Sequence, residues 1–220
     1  MGEVRSMTMI RTSHIAGMSI AVLPILAALA VTSGCTPHRV QYYQLSANVK
    51  AAAPAETGPV LVVGRIATPQ ALQDGRIRYH AGSNEVGAYE YHRWTDPPGM
   101  LVRESLIHVL RASGKFKSVQ EAGSTAEGDY SVRGKLLEFS ELDGNGGNGI
   151  ITRVSLDLEL REVKSGHQVW NQVLMRDDPV QAKTVADVVQ SLDRNLQVVL
   201  GDAVSAIGSY VTTHALRASN

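Results

Sequence analysis

Strict alternation of apolar and polar residues marks the middle of the second half of the chain. Thr152, Val154, Leu156, Leu158 and Leu160 alternate with Arg153, Ser155, Asp157 and Glu159. Side chains on a strand point to opposite faces in turn, so this period of two predicts a strand with one dry and one wet face. Lys164-Ser165-Gly166 supplies a turn, and residues 167–175 predict the returning hairpin strand, terminated by Asp177-Asp178-Pro179. Earlier, residues 60–66 are apolar on both pleat faces, with Val60, Val62 and Ile66 on one and Leu61 and Val63 on the other. That pattern predicts a strand covered on both sides. Further strands are expected over 40–45, 77–80, 85–94, 116–119 and 130–142, with a polar turn at 82–84.

Two segments change period. Val102, Leu106, Val109 and Leu110 share one face of a helix that Asp96 and Pro97-Pro98 would open and Gly114 would close. Thr184 and Asp187 form an acidic version of a capping box. Beyond it, Val188, Leu192, Leu196, Val199, Ala203, Ile207 and Val211 trace one stripe. A helix over 184–214 would be roughly 45 Å long, enough to cross a whole sheet. The expected class is therefore α+β, a mostly antiparallel sheet with two principal helices packed on one face. Gly201 and Gly208 are expected to let the long helix approach a neighbour closely. Residues 46–59, with five alanines, two prolines and a glycine, read as a flexible connection. Residues 144–149, all Gly and Asn, read as a mobile hairpin tip.

The amino-terminal segment follows other rules. Residues 15–31 are apolar and uncharged, follow a weakly basic flank with Arg5 and Arg11 against Glu3, and end at Thr32-Ser33-Gly34-Cys35. The run holds 17 residues with Pro24 near its middle, whereas a bilayer span needs roughly 20. It is well sized for a cleaved export segment ending before a lipid-bearing cysteine. The expected organisation is a lipoprotein signal peptide over 1–34, a lipidated terminus with a short strand and linker over 35–59, one domain over 60–214 and a tail over 215–220. An uncleaved anchor and a non-lipidated export signal are the competing readings.

Charge then excludes a class of partner. The chain carries 21 Lys+Arg and 21 Asp+Glu, and only Arg5, Arg11 and Glu3 precede Cys35. The mature part stays near neutrality and lacks the basic field of a nucleic-acid binder. Cys35 is the only cysteine, so disulfides and cysteine-rich metal sites are excluded. His80 and His92 fall on one predicted hairpin without a third ligand at zinc spacing. Asp177 and Asp178 before a proline read as a solvated turn, and the Gly/Asn loop lacks the lysine and hydroxyl residue of a phosphate loop. No serine sits in a nucleophile elbow. No catalytic residue, metal site or cofactor is expected. The aromatic residues Tyr42, Tyr43, Tyr79, Tyr89, Tyr91 and Trp94 crowd the first half, where core packing and partner recognition both fit.

Taken in order, several of these pieces resemble a known family. Tyr42-Tyr43-Gln44-Leu45 follows soon after the lipid-attachment cysteine. Val63-Gly64-Arg65-Ile66 with Pro69, Ile77-Arg78-Tyr79, Tyr91-His92-Arg93-Trp94 with Pro97-Pro98, and Gly114-Lys115-Phe116 come next. The set resembles the auxiliary lipoproteins of ABC-type transport systems, among them that of the paraquat-inducible pathway. The resemblance implies a non-enzymatic periplasmic lipoprotein working with an ABC permease and ATPase and a substrate-binding protein of the mammalian-cell-entry type. Its implied task is moving lipids or other hydrophobic compounds between membranes. Thr36 in place of aspartate implies the outer membrane. Cys35 is the implied lipid-attachment residue, and Tyr42, Tyr43, Leu45 and Trp94 are the candidate partner-binding residues. The edge strand near Tyr42 also suits pairing with a second copy. A structural or assembly lipoprotein of the envelope is the alternative.

Overall fold

The computed structural model describes residues 38–46, 52–82, 84–123, 128–143, 149–181 and 184–218, with side chains as far as His214. Cys35, the export segment before it and residues 144–148 of the Gly/Asn loop lie outside the described residues. The strands are β1 (Gln41–Tyr43), β2 (Val60–Ala67), β3 (Arg76–Ala81), β4 (Glu85–Trp94), β5 (Ser118–Glu121), β6 (Tyr130–Asp143), β7 (Ile150–Glu162) and β8 (Gln168–Val180). The helices are α1 (Pro98–Ala112) and α2 (Val185–Ala218), with a single 3-10 turn at Gln70–Leu72.

All eight strands join one sheet, which forks at β6. One edge of β6 pairs along its whole length with β7, and β7 pairs in turn with β8, both antiparallel. The other edge is shared. The amino-terminal half of β6 takes β2, with β5 beyond it, and the carboxy-terminal half takes β3, followed by β4 and β1. The β3–β4 hairpin is antiparallel, whereas the shorter joins of β2, β5, β3 and β1 to their neighbours are parallel. The long ladders make the sheet mostly antiparallel, as the period-two pattern predicts.

Both helices pack on the same side. Leu156, Leu158 and Leu160 of β7, Val132 and Leu136 of β6, and Leu61 and Val63 of β2 are sealed beneath Leu106 and Leu110 of α1 and Leu192, Leu196 and Leu200 of α2. Each such side chain withdraws enough apolar area to contribute about 1.5–3 kcal/mol. The capping box forms as the sequence predicts. Thr184 N–H donates to Asp187 Oδ2 at 3.0 Å, and Asp187 N–H donates back to Thr184 Oγ1 at 3.3 Å.

Five sequence expectations need correction. The face assignment on β2 changes because the register shifts between Val63 and Ile66; this irregularity turns Ile66 onto the buried face of Leu61 and Val63. Val60 and Val62 on the other face are only half-buried, so the strand is not covered on both sides. Asp96 makes no capping hydrogen bond; Pro97 occupies the cap position and Pro98 the first turn. Asp177-Asp178-Pro179 does not end β8, which runs to Val180. Proline is tolerated there because β8 is an edge strand. Gly201 meets no neighbour, whereas a Cβ on Gly208 would lie 2.7 Å from Lys115 Cδ. Finally, residues 52–55 are tied down. Ala52 N–H donates to Ala112 O at 2.9 Å and Ala55 N–H to Phe116 O at 3.2 Å.

Candidate functional site: the β1–β4 corner

The aromatic residues of the first half converge where β1 lies against β4. The parallel register aligns Gln41 with His92, Tyr42 with Arg93 and Tyr43 with Trp94. Alternation along β1 therefore sends Tyr43 to the helix side and Tyr42 to the opposite, outer face. The four candidate partner-binding residues are accordingly dispersed.

Trp94 is 3% exposed and stacks obliquely on Phe139 at 5.1 Å between centroids. It is a core residue and presents no surface to a partner, which corrects its place among the candidates. Tyr42 is 64% exposed. Tyr43 is half-buried: its hydroxyl donates to Gln41 Oε1 at 2.8 Å and lies 2.9 Å from His92 Nδ1. That pairing needs the His92 proton on Nδ1, since the tyrosine has one hydrogen to give. Burial pushes the Tyr43 hydroxyl above the usual tyrosine range.

On the helix side the aromatic row continues inward. His92 meets the Tyr89 ring edge-on, and Tyr89 packs on Tyr79 at 5.1 Å. The row ends on a carboxylate that the sequence reading passed over. Tyr89 Oη donates to Glu141 Oε2 at 2.7 Å, and Glu141 is 8% exposed. Burial raises the Glu141 pKa above the ordinary carboxylate value, the Tyr89 hydrogen bond pulls it down, and Asp143 raises it. Burial first and Glu141 second push Tyr89 far above its usual value. The alternation of β6 placed Glu141 one step from Ser140, but the register shift between Leu136 and Glu138 hid its inward direction.

Leu45 follows β1 into a groove between α1 and α2. Ser46 fastens the segment there: its backbone N–H and its hydroxyl donate to Asp193 Oδ2, and Gln197 Nε2 donates to Ser46 O at 3.1 Å. The groove encloses about 310 Å³ and is lined by Leu45, Leu101, Val109, Asp96, Glu104 and His108 among others. Its mixed apolar and acidic walls suit binding but offer no activated nucleophile.

The remaining sequence candidates separate. His80 faces outward, 3.4 Å from Glu138, while His92 faces the helix side, so the two histidines do not meet. Asp177 is held by Arg153 through a two-pronged pair at 2.8 and 2.6 Å, and Asp178 pairs with Arg176. Among the described residues no group of three or more His, Cys, Asp or Glu could hold a metal ion, and no helix is long and apolar enough to cross a membrane.

A forked sheet with two helices on one face and a groove beside them defines an α+β domain. The chain belongs to the ABC-type transport auxiliary lipoprotein components, whose family model matches residues 43–203. This family places it in the cell envelope, in association with an ABC transport system. A solved Xanthomonas campestris protein of family DUF330 shares the fold, with a TM-score of 0.71 at 17% identity, over 82% of this chain and 100% of that one. A second solved structure, of an uncharacterized protein, aligns with a TM-score of 0.60 at 16% identity over 77% of this chain and 99% of its own. No curated protein matches the sequence.

Proposed function

We propose that the chain is a non-enzymatic lipoprotein, acylated at Cys35 after removal of residues 1–34, that serves an ABC system containing a mammalian-cell-entry-type substrate-binding protein. It sits on the periplasmic side of the outer membrane, and the system it serves moves lipids or other hydrophobic compounds between the two membranes. The observation that carries this reading is the family match over residues 43–203, joined to an apolar export segment ending at a single cysteine. Fully acylated, such a cysteine anchors firmly, whereas a single chain binds only marginally.

The domain acts as a docking platform. Tyr43 and Leu45 contribute the partner contact, because the chain that follows Tyr43 forms a wall of the groove through Leu45 and is clamped to α2 at Ser46. The open edge of β1 also suits a second copy of the chain. Affinity capture of the chain from detergent-solubilised envelopes tests the partnership. Recovery of the mammalian-cell-entry protein and the permease supports it, with Leu45→Asp reducing the yield while the domain stays folded. Capture that yields neither component, with the lipoprotein itself fully recovered, favours an assembly role in the envelope instead.

A further inference from the structure

We propose that the outer face of the β1–β4 corner, carrying Tyr42, Arg93 and Arg76, is a membrane-contact surface that takes the phosphate-bearing headgroups of anionic lipids. This rests on the Cys35 anchor proposed above.

Chain length sets the geometry. Tyr42 is the seventh residue after Cys35, and an extended chain spans at most about 3.3–3.6 Å per residue, so Tyr42 stays within about 25 Å of the anchor point. A domain tethered this closely presents the start of β1 to the bilayer. The face it presents there is distinctive. Tyr42 aligns with Arg93, and Arg93 aligns with Arg76 across the β3–β4 ladder, so the three form one row on the side away from the helices. Tyr42 stands 64% exposed. Tyrosine, with an apolar ring and a polar tip, is the residue type that membrane interfaces concentrate.

The charge of the row is unbalanced. Arg76 and Arg78 share one carboxylate, Asp74, at 2.7 and 2.8 Å. Arg93 has no carboxylate partner among the described residues, and Glu90, the acid of β4 nearest to it in sequence, engages Tyr91. Arg39, two residues before β1, is exposed. Farther along the same face Arg153 is engaged by Asp177 and Arg161 by Glu159, which leaves less free positive charge at those two positions. Guanidinium groups bind phosphate oxygens with two parallel hydrogen bonds, which makes an unengaged Arg93 beside an exposed tyrosine fit a headgroup better than an apolar partner.

The test uses the mature lipidated protein in vesicles. Cys35 is the only cysteine and its thiol is consumed by acylation, so Tyr42→Cys accepts a single environment-sensitive fluorophore. Met175→Cys, on the outer face of β8 and 59% exposed in the parent residue, is the control. Vesicles of phosphatidylcholine, with or without phosphatidylglycerol, carry a nitroxide quencher on the headgroup. The expected result is quenching at position 42 that strengthens with phosphatidylglycerol, and little at position 175. Arg93→Glu should cut the preference for anionic vesicles about five-fold or more, the factor that corresponds to ~1 kcal/mol per basic residue at such a surface. Protein that floats with the vesicles yet shows equal quenching at both positions overturns the proposal and leaves the anchor standing. Quenching at position 42 that ignores lipid charge and Arg93→Glu also overturns it, as does shielding that appears only when the mammalian-cell-entry protein is added. Protein that fails to float refutes the anchor itself.

Discussion

Tyr89 on β4 gives its hydroxyl proton to Glu141 on β6 across 2.7 Å, closing an aromatic row onto a nearly buried carboxylate. The pair lies where the two long arms of the sheet meet, so its loss is felt on both. Tyr89→Phe leaves the carboxylate without its described donor and should cost about 1–3 kcal/mol. The midpoint of urea unfolding at neutral pH measures it, and an unchanged midpoint would show that the pair contributes nothing.

The same carboxylate gives the stability a sign with pH. Its folded-state pKa is raised, mainly by burial. The folded protein therefore holds the proton more tightly than the unfolded chain, whose glutamates titrate near about 4.3. The contribution of Glu141 is fully present below that value and is lost as pH rises through the folded one. Glu141→Gln keeps an oxygen to accept from Tyr89 and abolishes the ionisation. Relative to the parent, this variant should gain stability between acid and neutral pH; parallel pH profiles for the two proteins would contradict the assignment.

Beneath α2, Thr152 is the hub of a buried polar cluster. Asn195 Nδ2 donates to Thr152 O at 3.1 Å and to its Oγ1 at 3.0 Å, and Ser191 Oγ lies 2.7 Å from the same Oγ1. All three residues have no exposure. Thr152→Val removes the shared hydroxyl and should destabilise by about 1–3 kcal/mol, because the hydroxyl of Ser191 is left in a dry site. Combining it with Ser191→Ala should cost less than the sum of the two single changes. Strict additivity in denaturant melts would rule out the coupling.

Gly134 of β6 has no room for a side chain. A Cβ there would lie 2.6 Å from Leu158 Cδ2 and 2.7 Å from Asp157 O. The backbone oxygen cannot step aside, so Gly134→Ala should strain the β6–β7 ladder and cost about 1–3 kcal/mol. Thermal melts check this, with Gly201→Ala, which meets nothing within 4 Å, expected to be neutral or stabilising.

Much of the scaffold was legible in the sequence because it obeys local rules. The alternation around Leu156 follows from a strand with one buried face, and the Thr184–Asp187 box follows from unpaired amides at a helix start. The errors occurred where tertiary pairing overrode local pattern. An irregularity in one strand flips every side chain beyond it, which is why Ile66 changed faces and why the inward direction of Glu141 follows from no simple alternation along β6. The corner was legible only as a cluster of residue types. Its division into an outward Tyr42, an inward Tyr43, a groove-lining Leu45 and a buried Trp94 depends on the parallel pairing of β1 with β4, fifty residues away in sequence. No local period encodes such a pairing.

The central claim is the fatty tether at Cys35, and the intact mass of the protein purified from its native envelope tests it most directly. The account predicts a chain beginning at Cys35 and heavier than its polypeptide by a diacylglyceryl group, with or without a further acyl chain, and a Cys35→Ser variant without that mass. A native protein that retains residues 1–34, or that starts at an unmodified Cys35, would contradict it.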